Sequence, residues 1–195
     1  MNVEDDDESL LAAFRGGTAA ACSTLYSRHE RPVYRYLLRS LSDKAAAEDV
    51  MQDTWMTVMR SAADFKPDHR FTAWLYTIAR SRLVDHLRRH RPMVSLDAEA
   101  ANDPDSSETL LDRLVDEATP SPEHLSIDRE RARALMDRFE RLPAPQRDVF
   151  LLHVQAGLEI DEIAALVGAG AEAVRSRLRY AVARLTPRLS REANA

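Results

Sequence analysis

Apolar residues return every three to four positions through residues 9–91 and again through 128–185. No stretch alternates apolar and polar residues as a half-buried strand requires. The pattern therefore predicts an all-α chain. Candidate helices cover Leu10–Arg15, Thr18–Arg28, Arg31–Leu41, Ala45–Ala62 and Thr72–Arg89, with Pro32, Pro67 and Pro92 as breaks. A second set covers Asp128–Arg141, Pro145–Ala156, Ile160–Val167 and Ala171–Leu185. Residues 92–124 lie between the sets. They hold four prolines and few large apolar side chains, and read as a linker with one short helix around Glu108–Glu117. The expected architecture is two small helical domains, residues 1–92 and 128–195, joined by a flexible acidic linker over 93–127.

The last two helices carry the sharpest pattern. Ile160, Ile163, Ala164 and Val167 share one stripe; after Gly168-Ala169-Gly170, Val174, Leu178, Ala181 and Leu185 share another. Both stripes can face a common core. Opposite the second stripe stand Arg175, Ser176, Arg179 and Tyr180. A helix that packs on one side and shows arginines on the other, just past a glycine turn, fits a helix-turn-helix whose second helix enters a DNA major groove.

The segment from Phe71 to Pro92 is the second candidate for nucleic acid. Trp74 and Ile78 are four apart, as are Leu83 and Leu87, which predicts packing against neighbouring helices. Arg80, Arg88 and Arg91 share another side. From Arg70 to Arg91 there are six arginines, Arg89 among them, against one acid, Asp85. Such a helix can neutralise several phosphates and release their counterions. Phe71, Trp74 and Tyr76 lie at its start, and aromatic rings beside arginines suit unstacked bases. Phe71 and Trp74 also fit core positions, and for Trp74 the core is the favoured reading.

The helix before it divides into two faces. Ala47, Val50, Met51, Thr54, Trp55 and Val58 cluster on one side, and Asp49, Gln52, Asp53 and Met56 on the other. Periodicity alone favours an ordinary wetted face. The functional alternative is a docking face for a basic protein surface, with Met56 as a partner contact. Nothing beside Asp49 and Asp53 indicates a pocket or a nucleophile, so they are not read as an acid–base pair.

Charge at first opposes a nucleic-acid partner, because the formal net charge is −5. Its distribution removes the objection. Residues 93–128 hold ten acids against Arg113 alone, and residues 1–15 hold five against Arg15, so the remaining segments are net positive. Arginine far outnumbers lysine, which suits phosphate and base-edge contacts, although a GC-rich genome gives the same bias. Cys22 is the only cysteine, which excludes a disulfide within the chain and a thiolate metal cluster. No run approaches the apolar length of a membrane span, and the acidic start MNVEDDDESLL lacks an apolar signal region. A cytoplasmic protein without membrane insertion is expected.

Four segments taken together resemble the extracytoplasmic-function (ECF) group of bacterial RNA polymerase sigma factors: AEDVMQDTW (47–55), FTAWLYTIARSRLVDHLRR (71–89), LPAPQRDVFLL (142–152) and GLEIDEIAALVGAGAEAVRSRLRYAVARL (157–185). They stand in the family's order, and the resemblance spans nearly all of residues 10–190. It implies a non-enzymatic specificity subunit of RNA polymerase, without a cofactor. The first domain resembles region 2. Its acidic face, Asp49, Gln52, Asp53 and Met56, is then the contact for the coiled coil of the largest polymerase subunit. Its basic helix is then the reader of the −10 promoter element, through Phe71, Trp74, Tyr76, Arg80, Ser81, Arg88 and Arg89, and helps open the duplex by capturing flipped bases. The second domain resembles region 4, with Arg175, Ser176, Arg179 and Tyr180 facing the −35 element and another surface touching the polymerase flap. An anti-sigma factor, in many relatives membrane-anchored, is the implied regulator.

The chain departs from the family in three places. Ser81 stands where many members have Asn, and a hydroxyl lacks the bidentate capacity of an amide. Tyr180, Val182 and Ala183 stand where basic residues are common, so the isolated second domain should hold phosphates weakly. The turn at Gly168-Ala169-Gly170 is rich in glycine and expected to be flexible. Two other classes of function compete. An autonomous helix-turn-helix regulator usually dimerises on a palindrome, and no dimerisation segment is legible. A metal-dependent hydrolase could use His86 and His90, four apart on a helix, but the intervening Leu-Arg-Arg opposes a bound cation.

Overall fold

A computed structural model describes residues 6–90 and 133–186, and all regular structure among them is helical. The expected linker over 93–127, with its short helix, lies outside the described residues. The first domain comprises α1 (Asp7–Arg15), α2 (Ala19–Leu41), α3 (Lys44–Ser61), a 3-10 turn at Ala62–Asp64, and α4 (Phe71–Arg89). The second comprises helical residues 133–140 (α5), then α6 (Ala144–Val154), α7 (Ile160–Val167) and α8 (Ala171–Leu185).

Local chemistry sets several of these starts and stops. Asp6 caps α1 by accepting the Ser9 N–H at 2.6 Å, and Asp43 caps α3 by accepting that of Ala46 at 3.1 Å. A left-handed Ser42 ends α2. The expected break at Pro32 does not occur: α2 runs through it from Ala19 to Leu41. A mid-helix proline costs about 3 kcal/mol. Here Ala21, Leu25, Val33, Tyr36 and Leu37, on both sides of it, are all buried. Burying side chains of this size stabilises by about 1.5–3 kcal/mol each for the larger ones, which outweighs the local cost.

The six positions expected to form the apolar side of α3 are all buried, and the only polar one, Thr54, satisfies its hydroxyl on the Val50 carbonyl at 2.7 Å. In the second domain, Phe139, Leu142, Val149, Leu151, Leu152, Leu158, Ile163, Val174, Ala181 and Leu185 form the core. Arg147 reaches back from α6 to the carbonyls of Glu140 and Leu142 and lies over the Phe139 ring, tying α5 to α6. The two domains also touch, α2 against α6 and α4 against α7.

Candidate nucleic-acid interface

The helix-turn-helix is built largely from its own sequence. Glu159 and Glu162 form a reciprocal capping box at the start of α7, with the Glu159 N–H donating to Glu162 Oε2 at 2.8 Å. Gly168 ends α7 at φ 65°, ψ 41°, a left-handed conformation that glycine adopts without strain. The expected flexibility of this turn thus divides: Gly168 meets a backbone requirement, while Gly170, at φ −70°, has an ordinary conformation. Beyond it, Val174, Ala181 and Leu185 pack inward and Leu178 is half-buried. Arg175 and Arg179 are exposed, Ser176 is half-buried, and Tyr180 is 55% exposed. Arg175 pairs with Glu172 one turn earlier at 3.3 Å, and the Arg179 guanidinium lies 5.7 Å from the Tyr180 ring centroid. Exposed pairs of this kind hold weakly, so both arginines can exchange them for phosphate or base edges.

The basic helix α4 is built differently. Its N-cap, Arg70, supplies no side-chain cap. Glu8 of α1 supplies one across the domain, accepting the Phe71 N–H at 2.6 Å. A carboxylate there also meets the positive end of the helix dipole. Asp7 holds α1 in place through Arg28 at 3.0 Å and His29 at 2.6 Å. The His29 hydrogen bond, aided by Arg28, holds the Asp7 carboxyl below its ordinary range. Neither acid was singled out from sequence. The acidic run at residues 4–8 was visible, but not which helix start it would reach.

Two of the expected base contacts are buried. Phe71 is 0% exposed, enclosed by Phe65, Trp74 and His29. Tyr76 is 1% exposed, with its ring edge-on to Tyr36 at 5.4 Å and its hydroxyl 3.5 Å from the Gln155 carbonyl oxygen in α6. The reason is position: the first turns of α4 face the junction of α1, α2 and the 3-10 turn, where large rings fill space. Trp74 is half-buried, packed edge-on to Phe65 at 5.3 Å. Ser81, Arg88 and Arg89 are exposed on the outer side, as is Leu87, which sequence had expected to pack. Arg88 pairs with Asp85 at 2.7 Å, and Arg89 donates to the Asp85 carbonyl oxygen at 3.2 Å. His86 and His90 stack at 4.0 Å.

Arg80, another expected DNA contact, has an unforeseen partner. Its Nε donates to Asp148 of α6 at 2.8 Å, and the same carboxylate accepts the Tyr36 hydroxyl at 3.0 Å. Burial, reinforced by Asp148, pushes the Tyr36 hydroxyl well above the usual tyrosine range, so it stays a donor. Arg70, just before α4, pairs with Glu162 of the helix-turn-helix at 2.9 Å.

On α3, Asp49, Gln52, Asp53 and Met56 all stand exposed on one face, Met56 at 42%. Beside them a groove of about 540 Å³ runs between α2 and α3, floored by Met51 and Trp55 and edged by Tyr26 and Met59. The Trp55 indole N–H is buried without a hydrogen-bond partner among the described residues. No helix among the described residues is long and apolar enough to cross a membrane.

Comparison with known proteins matches two segments of the chain to family models. Residues 25–92 match the family model for Sigma-70 region 2, and residues 132–185 match that for Sigma-70, region 4. The chain is 32% identical over 167 residues to the RNA polymerase sigma factor CarQ of Myxococcus xanthus, covering 86% of this chain and 88% of CarQ. It is 30% identical over 181 residues to the ECF RNA polymerase sigma factor BldN of Streptomyces coelicolor, covering 92% of this chain but 64% of BldN. Among solved structures, CnrH in complex with the cytosolic domain of CnrY matches with a TM-score of 0.63 at 25% identity, over 93% of this chain and 95% of that one.

Proposed function

The chain belongs to the ECF group of bacterial RNA polymerase sigma factors, and from that premise we propose how its surfaces divide the work. It directs core polymerase to specific promoters and is regulated by an anti-sigma factor. The exposed α3 face of Asp49, Gln52, Asp53 and Met56 docks on the coiled coil of the largest polymerase subunit. The outer side of α4, with Ser81, Arg88, Arg89 and the half-buried edge of Trp74, takes the −10 element as it opens, joined by Arg80 once that residue is released. Phe71 and Tyr76 serve by packing α4. The α8 face of Arg175, Ser176, Arg179 and Tyr180 enters the −35 major groove, while the second domain rests on the polymerase flap. Residues 93–127 connect the two readers. No step of bond chemistry is assigned to the chain, and its place of action is the cytoplasm, where polymerase and promoter are.

One observation carries this reading: a single chain presents an acidic docking face and two separate arginine-bearing helix faces, within segments that match regions 2 and 4. An autonomous repressor needs only the last of these. The test is run-off transcription from a genomic promoter library with purified core polymerase. Promoter-specific starts that depend on the added chain are expected; their absence across the library removes the reading.

A further inference from the structure

Two large apolar side chains stand exposed on α4, the helix assigned above to the −10 element: Val84 at 42% and Leu87 at 46%. They lie one turn apart, on the side that also carries Ser81 and Arg88. The arginines nearer the middle of the helix are engaged elsewhere. Arg80 is held by Asp148 at 2.8 Å, and Arg82 is half-buried, 3.9 Å from Asp85. Thr77, at the head of the same stripe, donates its hydroxyl to the Ala73 carbonyl oxygen at 2.8 Å. The exposed stripe Thr77, Ser81, Val84 is thus uncharged, and charge returns at Arg88, whose side chain is 75% exposed. Phe71 and Tyr76, whose rings are suited to stacking on a base, are buried. Base recognition on this side of α4 therefore falls to aliphatic and hydroxyl side chains.

Aliphatic groups offer neither donor nor acceptor. Placed on the polar edge of a base, they strip water from it and return no hydrogen bond. Thymine is the exception among the four bases of DNA, because a C5-methyl group stands beside its O4 acceptor. Ser81, one turn before Val84, carries a hydroxyl that can donate to that acceptor.

We propose that Val84 and Leu87 form a thymine-selective contact: they cover the C5-methyl group of a thymine in the strand taken by α4, while Ser81 donates to its O4 and Arg88 and Arg89 hold neighbouring phosphates. This rests on the assignment of the outer side of α4 as a DNA reader. It gives a role to Leu87, whose spacing predicts a core position but whose side chain is exposed. The labour divides by chemistry. The arginines at the end of α4 supply affinity that ignores sequence, and the aliphatic pair supplies the choice of base.

The test uses the full chain and two labelled single strands of equal length, one of deoxythymidine and one of deoxyuridine. The strands differ only in the C5-methyl group and carry the same phosphates, so the arginine contacts cancel in the ratio of their affinities. Binding is read by fluorescence anisotropy. Covering one methyl group favours the thymidine strand about fourfold, and covering two favours it about fifteenfold. Val84→Ala with Leu87→Ala lowers that ratio below about twofold and leaves the affinity for the deoxyuridine strand within about twofold of the parent's. Both side chains are exposed, so this double variant keeps the helical circular dichroism of the parent. Ser81→Ala weakens the binding of both strands alike and leaves the ratio unchanged, because uracil retains O4. Equal affinity of the parent chain for the two strands overturns the proposal, as does a lack of binding to either. So does a thymidine preference that survives the double variant. A loss of helical signal in that variant also overturns it, since the pair would then be packing against the rest of the chain. A chain that initiates promoter-specific transcription but shows no thymidine preference loses this inference alone; one that shows the preference, and loses it with the pair, but never initiates loses the assignment to polymerase instead.

Discussion

The two arginine-bearing helices, α4 and α8, solve one problem by different means. The start of α8 follows the left-handed Gly168 that ends α7 and has no side-chain cap, and its exposed arginines lean on neighbours within one turn, Glu172 and Tyr180. The start of α4 is capped by Glu8, from 63 residues earlier in the chain, and its Arg80 is held by Asp148, 68 residues later. The face of α8 is therefore a local property, and that of α4 a property of the assembled fold.

The largest effect that would break this comparison is expected at Phe71. Phe71→Ala opens a cavity where three aromatic neighbours meet and should cost about 3–5 kcal/mol of stability, read as a lower midpoint in urea. A loss below about 1 kcal/mol would mean that the ring is not the keystone of α4. Next comes Arg175→Ala. Stability should change by less than about 0.5 kcal/mol, while discrimination between the −35 element and unrelated duplex falls by about 1–3 kcal/mol in competition binding. Equal loss on all sequences would make Arg175 a phosphate contact.

Glu8→Ala sharpens the comparison, because it touches no nucleic acid. It should cost about 1 kcal/mol through the lost cap of α4. Promoter opening, followed by permanganate footprinting with polymerase, should weaken while −35 binding is unchanged; a loss of −35 binding would show that the helices are not independent. The smallest effect separates two glycines of one turn. Gly168→Ala places a Cβ at φ 65° and should cost about 1 kcal/mol. Gly170→Ala, at an ordinary φ with open space around it but at the N-cap of α8, should change stability by less than about 0.5 kcal/mol. Equal melting temperatures for the two variants would contradict the turn geometry.

Much of this molecule is legible without coordinates. The bounds of α7 and α8 and the buried side of α3 follow from periodicity, because a helix that packs on one side must repeat its apolar residues at its own pitch. Periodicity fails where several elements converge. Phe71 and Tyr76 look like rings beside arginines, yet they fill the space where other helices meet the start of α4. Leu87 has the spacing of a core residue but stands exposed among the described residues. Pro32 looks like a break, but burial on both sides of it carries the helix through.

The amino-acid sequence by itself determined what depends on neighbours within a turn or two: the helical class, the capping box and glycine stop before α8, the polar face of α3, and the family through four short segments in order. Only the tertiary structure decided which acid meets which arginine. Glu8 with Phe71, Asp148 with Arg80 and Tyr36, and Glu162 with Arg70 join residues 63 to 112 positions apart. A charge carries no address along the chain, and it acquires one only when packing brings its partner within hydrogen-bonding reach.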